Sequence, residues 1–268
     1  VKYAAARNID IIPEIDIPGH ARAAIISMKN RYRNLMAEGN TEAAEEYLLH
    51  DRDDASQYRS VQGYPDNVLS VCRESTYRFL GKVFDEIIAM HQEAGTPLDI
   101  LHVGNDEVPE GVWEDSPLCQ ELIDEEDEVP TKDELTFYFL ERLDAMLDER
   151  NIRLAGWEEI VLRRDIADNG RVRYVPNPQF ADDNFLPYIW NNLGDAVDLS
   201  YRLVNQGYDV VLCNVTNFYF DLAYNNDPAE PGLYWGGYVD TKMAYRFTPF
   251  DVFGATRSNA FGQPTDVE

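Results

Sequence analysis

Apolar positions along the chain follow two spacings, one typical of buried strands and one typical of amphipathic helices. Short apolar runs that predict strands lie at 9–16, 98–103, 152–157, 186–190 and 209–214. Helical spacing predicts helices over 74–92, from 131 or 133 to 150, and over 195–206. Strands that are separated by helices form βα units, and such units build a parallel sheet. The pattern therefore predicts an α/β fold.

Length and composition indicate one large globular domain. The chain has 268 residues, of which 44% are hydrophobic and 12% aromatic, and no repeat or low-complexity linker divides it. No apolar stretch approaches the ~20 residues of a membrane span. Residues Val1–Arg7 lack the apolar core of a secretory signal and resemble the last turn of a helix. We therefore expect the sequence to be a piece of a longer protein.

The charge is strongly negative. The chain has 23 Lys and Arg residues against 49 Asp and Glu residues, a net charge of −26. A surface of this sign repels nucleic acids and anionic lipids. The composition thus excludes a nucleic-acid or membrane-surface partner, but it does not identify a reaction.

The three cysteines allow one pair, with one residue left over. Cys72 and Cys119 lie in loop-like surroundings, whereas Cys213 lies in an apolar run and is expected to be a buried, inert thiol. Their spacing matches no zinc site, and the chain has only four histidines. We expect neither a metal site nor a cofactor.

Two adjacent carboxylates, Asp106 and Glu107, follow the second predicted strand. The carboxyl ends of parallel strands are where α/β folds place their chemistry. Two carboxylates in unlike environments can hold different protonation states, so one can act as a base and the other as an acid. A solvated acidic turn is the alternative interpretation.

Other predicted strand ends carry chemically similar residues. They are Glu14, Asp16 and His20; Trp157, Glu158 and Glu159; Trp190, Asn191 and Asn192; and Tyr219 and Asp221. Aromatic rings with carboxylates between them suit a sugar, because C–H faces stack on rings while hydroxyls bond to carboxylates. The recurrence of these residues at successive strand ends favours a sugar site over isolated core aromatics.

Five ordered motifs resemble family 20 of the glycoside hydrolases, the β-N-acetylhexosaminidases, and especially their bacterial chitobiase-like branch. The motifs are Pro13–Ala21, His102–Val108, Gly156–Glu159, Tyr219–Asp221 and Tyr234–Trp235. The resemblance covers nearly the whole chain. It implies a (β/α)8 TIM barrel and a retaining mechanism in which the substrate's own acetamido group is the nucleophile.

The resemblance also implies a role for each matching residue. Glu107 would be the general acid/base, and Asp106 would orient the acetamido N–H and stabilise the developing positive charge. His20 would support the acid. The aromatic walls and sugar contacts would come from Trp157, Trp190, Tyr219, Asp221 and Trp235. A disulfide between Cys72 and Cys119 is implied too, which would place the protein in the periplasm or outside the cell.

Two features depart from the family pattern. The family usually has Gly-Gly before the carboxylate pair, whereas this chain has Gly104–Asn105; Asn tolerates the left-handed backbone better than most residues. Residues 1–268 also supply only about five of eight βα units, without matches to the first two strands or the last. We therefore expect a partial barrel that is unstable or inactive as an isolated polypeptide.

Three functions are compatible with these residues. The first is an exo-acting β-N-acetylhexosaminidase that releases terminal N-acetylglucosamine or N-acetylgalactosamine from chitin-type oligosaccharides. The second is a retaining glycosidase in which Glu158 or Asp221 is the nucleophile, and the third is a non-catalytic sugar-binding domain. Adjacent carboxylates favour the first, since a retaining pair lies ~5 Å apart across a sugar.

Overall fold

The computed structural model describes residues 1–125, 131, 134–166, 170, 172–181 and 184–250. The chain divides into two compact units, Val1–Gly156 and Trp157–Glu268. Among the described residues, no helix combines the length and the apolar character needed to cross a bilayer.

The first unit is built from three strands and six helices within its described residues. The strands are β1 (Glu14–Ile17), β2 (Ile100–Gly104) and β3 (Arg153–Trp157, whose last residue belongs to the second unit). The helices are α1 (Lys2–Ala5), α2 (Arg22–Ala37), α3 (Thr41–Glu45), α4 (Glu74–Ala94), α5 (Pro117–Glu125) and α6 (Leu135–Asp148).

Strand β2 lies between β1 and β3, and both pairings are parallel. Glu14 pairs with His102 and Ile17 with Gly104, so the end of β1 lies beside the residues that precede Asp106. Parallel strands joined by helices confirm the α/β class predicted from the sequence.

Helices α4 and α6 follow the predicted apolar faces. Leu80 and Phe84 of α4 are fully buried, and Gly95 ends that helix in the left-handed conformation at φ 72°. The stripe of α6 is fully buried as well and comprises Leu135, Phe139, Leu143 and Leu147.

The second unit has four strands and three helices in its described part. They are β4 (Leu162–Ile166), β5 (Val172–Pro176), β6 (Leu186–Ile189) and β7 (Val211–Leu212), with α7 (Leu199–Asn205), α8 (Val215–Phe218) and α9 (Thr241–Tyr245). Strands β6 and β7 pair in parallel, whereas β4 and β5 form an antiparallel hairpin. This hairpin was not predicted from the sequence.

Three predicted boundaries were wrong. Strand β1 begins at Glu14 rather than near residue 9, because Pro13 has no N–H to donate to a sheet. Helix α7 begins at Leu199, after a short 3-10 turn at Gly194–Ala196. Strand β7 is confined to Val211–Leu212.

Candidate active site

Asp106, Glu107 and His20 come together in the first unit. The Nε2 atom of His20 lies 3.4 Å from Asp106 Oδ2 and 3.5 Å from Glu107 Oε2. Asp106 and Glu107 follow β2, and His20 follows β1, so the parallel pairing of the two strands brings them together. One imidazole can therefore interact with both carboxylates.

The backbone around these side chains is unusual. Gly104, Asn105 and Glu107 have φ values of 71°, 73° and 52°, and His20 has 49°. Positive φ at residues other than Gly costs free energy and clusters at functional sites. Asn105 is among the residue types that tolerate it best, so the turn before the pair keeps a left-handed residue despite the departure from Gly.

Gly104 marks the closest approach between β1 and the turn. A Cβ atom at this position would lie 2.7 Å from the Cα of Asp16, a distance that real Cβ atoms do not reach. On the other side, a Cβ at Gly19 would lie 3.2 Å from the carbonyl oxygen of Asp106. The close approach therefore falls on Gly104 and Gly19, and Asn105 is accommodated with its side chain buried.

Asp16 is a strand-end residue to which the sequence analysis gave no role of its own, and the structure places it beside Asp106. Burial, followed by the charge of Asp106, raises the pKa of Asp16 to about 8. Asp16 therefore holds a proton at neutral pH and can donate a hydrogen bond to the neighbouring Asp106 carboxylate. Its role arises from the register of β1 against β2, which no local motif reports.

Asp16, His20 and Asp106 each offer one potential metal ligand atom, and the three atoms lie within 4.8 Å of one another. A metal ligand must be deprotonated, so a cation at this position would have to displace the proton that the raised pKa keeps on Asp16 at neutral pH.

Burial and the neighbouring Asp106 charge raise the pKa of Glu107, while His20 opposes the shift. A raised pKa keeps a carboxyl group protonated nearer to neutral pH, as a general acid requires. On the preceding strand, burial lowers the pKa of His102 to about 4, and its Nδ1 accepts a hydrogen bond from the Gly104 N–H at 3.2 Å. Neutral His102 thus supports the turn that carries the pair.

The segment after Glu107 is fixed by several contacts. The indole N–H of buried Trp113 donates to the Leu69 carbonyl at 2.9 Å. Ser116 donates to the Asp51 carboxylate at 2.8 Å. The structure also contains a disulfide between Cys72 and Cys119, the pair that the sequence resemblance implied.

Three of the predicted sugar-contacting aromatics form one cluster in the second unit. Trp190 stacks on Tyr219 with ring centroids 6.5 Å apart, and Trp235 meets both rings edge-on at 6.1 and 5.8 Å. Trp235 is 48% exposed, so one ring of the cluster is available to a ligand. Trp157 packs edge-on against Tyr188 at 6.3 Å.

The two carboxylates considered as alternative nucleophiles differ in their surroundings. Glu158 is buried, and its two oxygens accept the backbone N–H groups of Trp190 at 2.8 Å and Asn191 at 3.1 Å. This carboxylate holds the end of β6 in place. Asp221 is exposed, as a residue that contacts sugar hydroxyls would be.

Comparison with known proteins identifies the family. The model of the glycosyl hydrolase family 20 catalytic domain matches residues 1–262. The chain belongs to glycosyl hydrolase family 20. Family 20 membership agrees with the five motifs, which include the Asp106–Glu107 pair and two members of the aromatic cluster, Tyr219 and Trp235.

Several family 20 relatives match most of the chain. It is 39% identical to a β-hexosaminidase of Vibrio vulnificus over 253 residues, which are 93% of the chain and 29% of the relative. It is 34% identical to an N,N'-diacetylchitobiase of Vibrio harveyi, covering 93% of the chain and 31% of the relative. The chain therefore spans less than a third of the length of these two family 20 relatives.

A solved family 20 structure is similar as well. The exo-β-N-acetylglucosaminidase of Vibrio harveyi, solved in complex with N-acetylglucosamine, has a TM-score of 0.69 and 32% identity. The match covers 93% of this chain and 32% of that one.

Proposed function

We propose that this chain carries the catalytic residues of an exo-acting β-N-acetylhexosaminidase. The enzyme removes terminal N-acetylglucosamine or N-acetylgalactosamine from chitin-type oligosaccharides. The observation that carries the proposal is the adjacent pair Asp106–Glu107 with His20 within 3.5 Å of both carboxylates. Family 20 membership and the relatives named β-hexosaminidase and N,N'-diacetylchitobiase support it.

Glu107 is the general acid and then the general base in this proposal. Protonated Glu107 donates its proton to the departing glycosidic oxygen, and the resulting carboxylate later takes a proton from the attacking water. Its raised pKa supports the first step, and the nearby His20 supports the second by interacting with the carboxylate that forms.

Asp106 prepares the internal nucleophile. The substrate's acetamido oxygen attacks the anomeric carbon, the bond to the leaving oxygen breaks, and an oxazolinium ion forms. Water then hydrolyses this ion, so the product retains the configuration of the anomeric carbon. The Asp106 carboxylate accepts a hydrogen bond from the acetamido N–H and stabilises the positive charge that develops on this group. Protonated Asp16 beside it can donate a hydrogen bond to the Asp106 carboxylate and so help to hold it in place.

Five of the residues to which we assign sugar contacts lie in the second unit. Trp190, Tyr219 and Trp235 form the aromatic wall, and we assign the Tyr219 hydroxyl as the donor to the acetamido oxygen. Trp157 contributes a further wall, and Asp221 accepts hydrogen bonds from sugar hydroxyls. The clustering of three of these rings and the exposure of Trp235 support the assignment.

An enzyme nucleophile is less well supported. Both oxygens of Glu158 already accept backbone N–H groups, so this carboxylate would have to leave structural hydrogen bonds to attack a sugar. The acetamido mechanism requires no such rearrangement.

We further propose that residues 1–268 form part of one (β/α)8 TIM barrel and supply about five of its eight units. The family match over 1–262 and the parallel pairings β1–β2, β2–β3 and β6–β7 support this. The Cys72–Cys119 disulfide supports a periplasmic or secreted location, because disulfides persist in oxidising compartments.

Hydrolysis of para-nitrophenyl N-acetyl-β-glucosaminide tests the proposed function. We expect turnover that a thiazoline mimic of the cyclised intermediate inhibits competitively. We also expect Glu107→Gln to reduce kcat by about 10²–10⁴-fold, as for other general acids. Glu114→Gln, the same change at an exposed position of the following segment, is the control.

Two outcomes would contradict this assignment. Equal hydrolysis of the β-glucoside without thiazoline inhibition would indicate an enzyme nucleophile. Sugar binding without turnover in the protein that carries this chain, unchanged in Glu107→Gln, would indicate a non-catalytic binding domain.

A further inference from the structure

The first unit contains a cavity with a basic wall, separate from the Asp106–Glu107 pair. It encloses about 290 Å³ and is lined by Lys29, Tyr32, Arg33, His50 and Arg52. The first three lie on successive turns of α2, and the other two follow α3. In a chain with a net charge of −26, a cavity whose described lining holds three cations and no carboxylate is a local reversal of charge.

The nearest carboxylate in the sequence is directed to other partners. Asp51 lies between His50 and Arg52, but its Oδ2 atom accepts hydrogen bonds from the Ser116 hydroxyl at 2.8 Å and the Leu118 N–H at 3.3 Å. Its charge therefore helps to hold the segment after Glu107. It does not line the cavity.

The cations of the wall are only partly neutralised. Arg52 donates to the Tyr32 hydroxyl at 2.5 Å, and it lies 3.8 Å from Glu45, which also pairs with Arg73 at 2.7 Å. Lys29 and Arg33 have no ion-pair partner among the described residues. Positive charge thus remains available on the α2 side of the cavity.

The half-buried imidazole of His50 also lines the cavity. Its Nδ1 atom is inaccessible to solvent and makes no hydrogen bond within the described part of the chain. Burial, then the charges of Lys29 and Arg73, lower the pKa of His50 to about 4, with Arg52 adding to the effect and Asp51 opposing it. The imidazole is neutral at pH 7 and can donate one hydrogen bond.

We propose that this cavity binds a tetrahedral oxyanion, sulfate or phosphate, either free or as an ester on a sugar. Guanidinium groups match the paired oxygens of such anions, and Lys29 adds a point charge. The volume lies near the lower limit of small-molecule pockets, which leaves room for water or for part of a sugar ring beside the anion. None of these residues takes part in the proposed hydrolysis, so either proposal can be refuted without affecting the other.

Calorimetric titration at pH 7 and constant ionic strength tests the site, with sodium sulfate, inorganic phosphate and a sulfate ester of N-acetylglucosamine as probes. We expect saturable binding to the protein that carries this chain. Lys29→Ala/Arg33→Ala should weaken it at least tenfold, whereas Lys82→Ala should change it less than twofold. Lys82 is a suitable control because it lies on α4, does not line the cavity and pairs with Glu86 at 2.6 Å. Tighter binding of the ester would identify the sugar-bound anion as the ligand, and equal binding would identify the free ion.

Histidine NMR locates the bound anion independently. A bound anion offsets the cations around His50, so we expect the pKa of His50 to rise from about 4 towards its ordinary value. The double substitution should raise it without any ligand, and an unchanged urea unfolding midpoint reports separately that the variant is folded. The proposal is overturned if no probe binds saturably, if the double variant binds as tightly as the wild type, or if the anions shift His20 and leave His50 unchanged.

Discussion

The Cys72–Cys119 disulfide closes a loop with a sequence separation of 47 residues. This loop contains α4, β2 and both proposed catalytic carboxylates. We consider the substitution of both cysteines by Ala. In the chain-entropy model, releasing a loop of this length destabilises the folded state by about 4 kcal/mol at 25 °C. For a protein of this size, that corresponds to a fall in Tm of roughly 8–16 °C.

The folded state should change much less than the unfolded state. The hydrogen bonds from Trp113 to Leu69 and from Ser116 to Asp51 continue to hold the segment after Glu107. We therefore expect the double variant, while folded, to retain kcat/KM within a few fold. The loss should appear in the free energy of unfolding.

Urea unfolding followed by circular dichroism and tryptophan fluorescence measures this effect. The wild type, the wild type in dithiothreitol and the Cys72→Ala/Cys119→Ala variant are compared, with Cys213→Ala as the control for losing a thiol outside the disulfide. The reduced wild type and the double variant should lose similar stability. If either stays within about 1 kcal/mol of the oxidised protein, the chain-entropy reasoning is wrong for this loop.

Three further predictions concern the site and its supporting residues. Asp16→Ala should lower kcat roughly 10- to 100-fold, because a hydrogen bond to a charged group contributes about 1.5–3 kcal/mol; Asp16→Asn keeps a neutral donor beside Asp106 and should recover most of that loss in steady-state assays. The pKa of His102, about 4, lies below its unfolded value, so between pH 6.5 and 4 the unfolded chain binds more protons and stability falls as the pH falls. The fall attributable to His102 should be up to about 3 kcal/mol in urea titrations and should be absent in His102→Gln. Asn105→Ala should destabilise by about 1–2 kcal/mol, because a left-handed φ of 73° penalises a Cβ, whereas Asn105→Gly should unfold at nearly the wild-type urea concentration.

The sequence predicted the elements whose burial follows a simple period. Helix α6 is an example, because Leu135, Phe139, Leu143 and Leu147 all face the core and are fully buried. The β4–β5 hairpin was missed, since most of its residues are exposed or half-buried and present no apolar stripe. Periodicity reports burial, and an element that buries little gives a weak signal.

The candidate site likewise contains residues that the sequence predicted and one whose state it did not. Asp106, Glu107 and His20 were predicted from short motifs at strand ends, because each motif contains its own turn and functional group. Asp16 was named among the strand-end residues, but its protonated state was not predicted. Its protonated state depends on the proximity of Asp106, which the register of β1 against β2 creates. Pairing between distant strands leaves no local trace in the sequence.

A series of substrates with increasingly fluorinated acetamido groups tests the central claim most directly. Fluorine withdraws electrons from the amide carbonyl, so its oxygen becomes a weaker nucleophile while the leaving group and sugar ring stay the same. If the acetamido oxygen attacks, with Asp106 orienting it and Glu107 protonating the leaving group, kcat/KM should fall steeply and progressively from acetyl to trifluoroacetyl. A rate that stays the same across the series would contradict the account and indicate a nucleophile supplied by the enzyme.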